Sequence, residues 1–250
     1  MANTTNVFDV GTYQLSCHNC GFVELCLPRS LNSTQIKNVE SIINVKAPLQ
    51  RGERLFTAGD RFQSVYAVKS GSVKIYMLAE DGEEQVLGFY MPGEMVGLDG
   101  LNQKYHTCTA EALETTSICE IPYPTLEKMY REVPALQSEM CAMMSKEISE
   151  DHIMLLLLAK RNAEERLASF LLRLSRRFKN RGFSATEFNL SMSRHDIGNY
   201  LGLATETISR IFSRFDEDGL ISVHRRKVNI HNLSELEEMI GNNMPLAKSA

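Results

Sequence analysis

The sequence lacks any long hydrophobic run. Its longest apolar stretch, residues 153–159, is far shorter than the roughly 20 residues that a membrane-spanning helix needs. The N-terminus also lacks a charged start followed by an apolar segment, so it does not resemble a secretory signal. We therefore expect a cytoplasmic protein with no membrane partner.

The sequence also lacks the motifs of catalysis, since no nucleophile–base pair and no phosphate-binding loop stands out. We therefore expect no enzyme.

Negative charge is in small excess, with a net charge of −4, but the charge is unevenly distributed along the chain. Residues 161–250 carry a net positive charge and residues 1–160 a net negative one, which places the affinity for nucleic acid in the C-terminal part. Five basic residues there are candidates to contact phosphates: Arg173, Arg176, Arg177, Lys179 and Arg181.

Residues 205–215 predict an amphipathic helix that suits the DNA major groove. Its apolar residues recur at the spacing of one helix face: Ile208, Ile211, Phe212 and Phe215. Glu206, Ser209 and Arg210 fall on the opposite face. Arginine can bond both acceptors of guanine and glutamate accepts from cytosine, so these three are candidates for contacts to bases.

The flanking residues complete a winged helix-turn-helix. Ser193 and Asp196 have the spacing of a helix start, Gly202 ends that helix, and Thr205 is predicted to cap the next one. Residues 221–230 predict two short strands around a basic turn, which is typical of a wing. The alternative is an αα-hairpin of another helical domain, with Glu206 and Arg210 as a surface ion pair.

Short strands with glycine turns are predicted between residues 50 and 122. Glycines recur there every few residues, and Asp81-Gly82 is a strong hairpin signal. This spacing predicts a β-sandwich or barrel-like unit. Before it, residues 29–44 predict a helix capped by Asn32 or Ser33.

Two helices are predicted after the strands, a short one over residues 124–131 and a long one from Pro134 to about Lys160. The long helix carries a coiled-coil seam: Cys141, Met144, Ile148, Asp151, Leu155 and Leu158. Such a seam favours a homodimer. Two Asp151 carboxylates near a two-fold axis would repel one another, so we expect a conditional dimer that a bound cofactor favours.

The alternative is that the long helix packs on its own β-domain. A second apolar face supports this in part: Met140, Met143, Ile153 and Leu156.

Three cysteines, Cys17, Cys20 and Cys26, precede the folded domain and have the close spacing of metal ligands. A fourth ligand would have to come from Cys108, Cys119 or Cys141. Structural zinc, a thiol–disulfide pair and an iron–sulfur cluster all remain open, although an all-sulfur set suits the cluster. Spacing alone does not decide between zinc and iron–sulfur.

Together these features resemble the CRP–FNR superfamily of bacterial transcription regulators, over nearly the whole chain. The specific matches are the motifs at residues 17–26, 162–168, 196–203 and 206–210. The resemblance implies an α+β fold made of a cyclic-nucleotide-binding-like β-roll, a long dimerisation helix and a winged helix-turn-helix. The corresponding boundaries are a cysteine-rich segment 1–28, a β-roll 29–131, the long helix 132–160 and a DNA-binding domain 161–250.

The resemblance is to the oxygen-responsive members, and it implies that a [4Fe–4S] cluster is held by four ligands: Cys17, Cys20, Cys26 and Cys119. It also implies that oxygen destroys the cluster and separates the dimer. Glu206, Ser209 and Arg210 would read inverted repeats of TTGAT type, and the loop at Asp81-Gly82 would contact RNA polymerase.

The resemblance implies no cyclic nucleotide as a ligand. Cyclic-nucleotide-responsive members carry a Gly-Glu pair, which is present here at 93–94, followed by an arginine for the phosphate. Residues 106–110 contain no arginine, so we expect this roll to serve as a scaffold.

Overall fold

The structure, a computed structural model, describes residues 17–241. Eight strands of this range form a β-roll: Asn44–Val45 (β1), Arg54–Phe56 (β2), Ser64–Ser70 (β3), Val73–Leu78 (β4), Glu84–Tyr90 (β5), Met95–Val96 (β6), Thr109–Ala112 (β7) and Ser117–Pro122 (β8). They make two antiparallel sheets, in the orders β1-β8-β3-β6 and β2-β7-β4-β5. A four-residue helix, Gly100–Gln103 (α2), lies between β6 and β7.

Tight turns allow the strands to reverse. Gly71 joins β3 to β4 at φ +79°, and a Cβ there would lie 2.5 Å from the carbonyl oxygen of Thr115, so glycine is required. The hairpin predicted at Asp81-Gly82 joins β4 and β5, and the Asp81 carboxylate accepts the Glu83 backbone N–H at 3.0 Å.

The first helix is shorter than predicted. It runs over Ser33–Glu40 (α1), and Asn32 is its cap, in a reciprocal capping box with Gln35. The prediction of helix up to residue 44 is wrong, because Asn44 and Val45 pair with β8. Pairing with a distant strand overrides the local apolar spacing.

The two middle helices lie where the sequence predicts them. They cover Tyr123–Glu132 (α3) and Pro134–Lys160 (α4), with Pro134 in the first position of α4, where a missing N–H costs nothing. No helix in residues 17–241 is long and apolar enough to cross a membrane.

A winged helix-turn-helix follows α4. Its elements are Ala163–Asn180 (α5), Glu187–Asn189 (β9), Arg194–Leu201 (α6), Thr205–Glu217 (α7), Ile221–His224 (β10), Lys227–Ile230 (β11) and Leu233–Ile240 (α8). Strands β10 and β11 form the predicted wing, and β9 pairs with β11.

The two parts of the molecule share one apolar core. Phe89 of β5 packs edge-on against Phe170 of α5 and Tyr200 of α6, at ring distances of 6.1 and 5.2 Å. Hydrogen bonds fix the orientation of α6 on the strand, since the Asn199 side chain accepts from the Val86 backbone N–H and donates to the Glu84 carbonyl of β5. The helix-turn-helix is therefore docked on an edge strand of the roll.

A buried lysine joins the same two parts. The Lys74 ammonium on β4 donates to Glu84 at 2.9 Å and to Asp196 of α6 at 3.2 Å. Because Lys74 is only 7% exposed, these carboxylates supply the charge partners that a buried cation needs.

Candidate metal centre and DNA-binding surface

The segment with three cysteines forms two short 3₁₀ turns, Cys17–Asn19 and Val23–Leu25. The His18 backbone N–H donates to Glu40 at 3.2 Å, and a ring nitrogen of His18 lies 3.3 Å from the Ser33 carbonyl oxygen. Both ends of α1 therefore hold the segment. His18 thus takes part in attaching the segment to α1.

Strand β8 brings the fourth cysteine to this segment. Cys119 pairs with Val45 of β1 on one side and with Ala67 of β3 on the other. One apolar cavity is lined by four thiols: Cys17, Cys20, Cys26 and Cys119. The structure thus brings together the four cysteines that the family resemblance selects.

The other two cysteines lie elsewhere. The buried Cys108 thiol donates to Asp99 at 3.2 Å, and Cys141 is exposed on α4. Of the three candidates for a fourth ligand, Cys119 lines the cavity. All six cysteines are free of disulfide bonds.

Burial favours the protonated form of three cavity thiols, those of Cys17, Cys26 and Cys119. Burial, followed by the neighbouring thiol of Cys119, raises the pKa of Cys17 to about 12. Burial likewise raises the pKa of Cys26 to about 12 and raises that of Cys119. Thiolates are the ligand form, so a metal that binds here must displace protons.

The donor set fits a soft, sulfur-bound group. Zinc and iron–sulfur clusters are the centres that prefer thiolates alone. In residues 17–241, no three His, Cys, Asp or Glu side chains are arranged to hold a single metal ion. The four thiols thus face a common space, and their chemistry suits either a zinc ion or an iron–sulfur cluster.

The helix-turn-helix has the geometry needed to read DNA. The capping box of Ser193 and Asp196 is present, and Gly202 ends α6 at φ +63°. Helix α7 buries its predicted apolar face: Ile208, Ile211, Phe212 and Phe215. Its opposite face is exposed at Glu206, Ser209 and Arg210.

One capping prediction is wrong. Ala204 is the residue before α7, and its side chain makes no capping bond. Thr205 lies inside the first turn, because Gly202 and the bond from Leu203 N–H to the Gly198 carbonyl return the chain to helical conformation one residue earlier.

Four of the five basic residues predicted to contact phosphates are paired with carboxylates, and Lys179 is exposed. Arg173 pairs with Glu150 and Arg176 with Glu237, while Arg177 and Arg181 both bind Glu94, at 2.5 and 2.6 Å. The basic residues of the wing, Arg225 to Lys227, are also exposed.

Glu94 contacts two arginines at the end of α5, which could not be foreseen from the sequence. Arg177 and Arg181 also donate to the carbonyls of Phe89 and Pro92, at 2.5 and 2.8 Å. Burial alone would raise the pKa of Glu94, but the two guanidinium groups lower it to about 2. The i,i+4 spacing of the two arginines was the available signal; their partner in the roll was not visible from local sequence.

The predicted seam of α4 is open in the single chain. Met144, Ile148 and Leu155 are exposed by 36%, 55% and 65%, and Cys141 and Asp151 are exposed as well. Leu158 is half-buried. The predicted second face is partly correct: Met140 is buried, but Leu156 is 45% exposed and Leu157 takes the buried position.

A cleft of about 660 Å³ separates this seam from the roll. Its charged residues are acidic: Asp99, Glu147 and Asp151. Burial raises the pKa of Glu147, whose carboxylate accepts a hydrogen bond from Tyr90.

Asp81 and Gly82, the predicted polymerase contact, are exposed at the tip of the β4–β5 hairpin.

Comparison with known proteins places the chain in a family. Residues 46–133 match the cyclic nucleotide-binding domain and residues 165–239 the Crp-like helix-turn-helix domain. The chain is 45% identical to the fumarate and nitrate reduction regulatory protein of Yersinia pestis, over 94% of both chains. It is 47% identical to the transcriptional activator protein Anr of Pseudomonas protegens, over 91% of this chain and 93% of that one.

A solved structure agrees with these matches. FixK2 from Bradyrhizobium japonicum is 31% identical, with a TM-score of 0.73, and the match covers 79% of this chain and 97% of FixK2. The predicted α+β fold is therefore confirmed, and the relatives are named as regulators rather than as enzymes. The chain belongs to the CRP–FNR family of transcription regulators.

Proposed function

We propose that this protein is an oxygen-responsive regulator of anaerobic transcription, which binds DNA as a homodimer when its four-cysteine site holds a [4Fe–4S] cluster. The observation that carries this proposal is the convergence of Cys17, Cys20 and Cys26 with Cys119 on one cavity. Relatives named for fumarate and nitrate reduction and for anaerobic regulation support the same assignment.

The four cysteines would hold the cluster through their thiolates, and a bound iron–sulfur cluster supplies a centre that oxygen attacks. Because the two 3₁₀ turns of the segment that carries three ligands contain no buried residue, the fourth ligand would tie that segment to the sheet. Loss of the centre would release the segment from β8, which is the strand that leads into α3 and α4.

DNA reading would be the task of α7. Arg210 would donate to guanine, Glu206 would accept from cytosine, and Ser209 would bond a neighbouring base edge. Two such helices in a dimer match inverted repeats of TTGAT type, one half-site for each subunit.

Dimerisation would use the exposed seam of α4. Burying its apolar residues against a second copy would remove from water the surfaces that the single chain exposes. Asp151 opposes this association, which makes the dimer sensitive to any change that moves α4. The exposed hairpin tip at Asp81 and Gly82 would contact RNA polymerase.

A cyclic nucleotide is not the expected ligand. No arginine or lysine of residues 17–241 lines the cleft between α4 and the roll, so a phosphate there would meet carboxylates without a compensating cation. Glu94, the acidic residue of the Gly-Glu pair, is already bound by two arginines.

The proposal is tested by measuring the affinity of the protein for DNA without oxygen and after exposure to air. We expect the anaerobic protein to bind a labelled duplex with inverted TTGAT repeats at least ~10³-fold more tightly than a scrambled duplex. Air should abolish that preference. Equal affinity for the repeat before and after air would refute the oxygen response, and saturable binding of cyclic AMP would revive the nucleotide-responsive alternative.

A further inference from the structure

Among residues 17–241, one charged residue lines the cavity of the four thiols. Lys69, at the end of β3, lies among the cysteines and apolar side chains such as Val23 and Ile121. Ala67, two residues earlier in β3, pairs with Cys119 of β8. Lys69 thus lies beside thiols from both the cysteine segment and the sheet.

We propose that Lys69 is a positioning residue for the bound centre, which it stabilises as a counter-charge. Four thiolates around either a zinc ion or a [4Fe–4S] cluster leave a net negative charge, and an apolar cavity solvates that charge poorly. Glu40, the other nearby charge that acts on Cys17, is negative and opposes it. Lys69 is therefore the favourable charge that this lining provides.

This inference rests on the proposed function for the identity of the bound centre. The negative charge of the centre does not depend on that identity, because it is the same for zinc and for the cluster. Lys69→Met should lower the affinity of the site for its metal by ~10–100-fold, the range found for outer ligands of metal sites. The loaded site should also lose its visible absorption faster in air. Lys69→Arg keeps the charge and should restore both properties to near the wild-type level.

Chelator competition and metal analysis of the wild type, Lys69→Met and Lys69→Arg test the inference. Equal metal affinity and equal decay in Lys69→Met would overturn it, as would an equal defect in Lys69→Arg. Zinc in place of iron and sulfide would reject the proposed cluster, while a lower zinc affinity of Lys69→Met would still support the counter-charge.

A separate set of contacts joins the cysteine segment to the DNA-binding domain. The Phe22 ring lies 6.3 Å from that of Phe183, which follows α5. At the turn before β6, Gly93 has φ +91°, and a Cβ there would lie 2.8 Å from the Leu25 Cβ. The segment between Cys20 and Cys26 therefore packs on both the turn and the end of α5.

The same turn is held from the other side by α5. Arg181 donates to the Pro92 carbonyl at 2.8 Å, and Arg177 and Arg181 bind Glu94. The Arg181 side chain is only 3% exposed. A displacement of the cysteine segment would thus act directly on the side chains that fix α5 to the roll.

We infer that the cysteine segment controls the DNA-binding domain of its own subunit through this contact, in addition to any effect on the dimer helix. The cavity holds about 30 Å³, room for about two waters. A multi-atom centre enters only when the segment moves, and that movement changes the packing of Phe22 and Leu25 on the turn.

Hydrogen exchange of peptides covering residues 173–185 tests this inference, which relies on the proposed centre for its trigger. In the wild type, exchange should differ between the loaded and the metal-free protein. Phe22→Ala should remove at least half of that difference, while Tyr105→Ala, which truncates an exposed aromatic residue of the roll, should keep it. An unchanged difference in Phe22→Ala would overturn the inference.

A double-mutant cycle of Phe22→Ala and Phe183→Ala tests the contact without any bound group. In thermal unfolding, the double variant should lose less stability than the two single variants together. Strict additivity would mean that the two rings do not interact, and it would overturn the inference even if the site proved to bind no cluster.

Discussion

Glu94 shows how one residue can link two domains. Its carboxylate accepts from two arginines of α5, while its backbone lies in the turn that contacts the cysteine segment. The family resemblance implies that this Gly-Glu pair binds the ligand in relatives that respond to cyclic nucleotides. Here Glu94 of the pair binds two arginines of the same chain instead.

Glu94→Gln should destabilise the protein by about 3 kcal/mol, because it leaves the buried Arg181 and its neighbour Arg177 without a counter-charge. Urea unfolding measures this loss. Glu237→Gln, which removes the exposed partner of Arg176, serves as the control and should change the free energy of unfolding by less than about 1 kcal/mol. Similar losses in both variants would contradict the assignment.

The same carboxylate predicts a response to acid. Its pKa is about 2 in the folded protein, below its ordinary value of 4.5, so its contribution is complete above pH 4.5 and is lost as the pH falls from 4.5 toward 2. Unfolding measured across this window should show a steeper loss in the wild type than in Glu94→Gln. Parallel curves would count against the ion pair.

Arg210 is the residue through which base reading is tested. Arg210→Ala should weaken binding to the specific repeat by about 1–3 kcal/mol and relax the preference at one position of each half-site. Competition binding against single-base variants of the site measures both effects. An equal loss on specific and scrambled DNA would show that Arg210 contacts phosphate instead.

At the scale of elements, the long helix α4 has two roles along its length. Its buried residues fix it to α3 and to the DNA-binding domain, while the seam from Cys141 to Leu158 faces a cleft or solvent. Asp151 lies within that seam, and burial, with Glu150 nearby, raises its pKa against the opposing effect of His152 and Arg173.

Asp151→Ala should dimerise more strongly than the wild type in the metal-free state, because it removes a charge that the seam would bury. For the wild type, two opposed carboxylates repel only while both are charged, so protonation of Asp151 should favour the dimer as the pH is lowered. Sedimentation of both proteins as the pH is lowered from neutral measures this. The role of Asp151 would be contradicted if dimerisation of the wild type did not depend on pH. It would also be contradicted if Asp151→Ala dimerised no more strongly than the wild type.

Elements with strong local signals could be predicted from the sequence. The apolar spacing of α7, the capping box of α6 and the proline that begins α4 depend on neighbours within a few residues, so they survive in the fold. The end of α1 could not be predicted in this way, because β1 forms by pairing with the distant strand β8.

Long-range partners explain most of the remaining differences. Spacing left three candidates for the fourth cysteine, and only the family resemblance selected Cys119, which the sheet register then brings to the cavity. The local sequence predicts that the arginines near the end of α5 face DNA. Their actual partner, Glu94, lies more than eighty residues earlier and could not be identified from the helix sequence.

At the scale of the whole molecule, the cysteine segment contacts both the roll and the DNA-binding domain. It joins the roll through Cys119, and it reaches the DNA-binding domain through Phe22 and the turn at Gly93. A change at the thiols therefore has two physical routes to DNA, one through α4 to the partner subunit and one through α5 of the same subunit.

The most direct test of this account is to purify the protein without oxygen, determine iron, sulfide and zinc, and record its visible absorption as air is admitted. The account predicts roughly four irons and four sulfides for each chain, with absorption that bleaches in air, and the same protein with Cys119→Ala should retain little iron. Zinc without sulfide, and a spectrum that air leaves unchanged, would contradict the oxygen sensor and make the four cysteines a structural site.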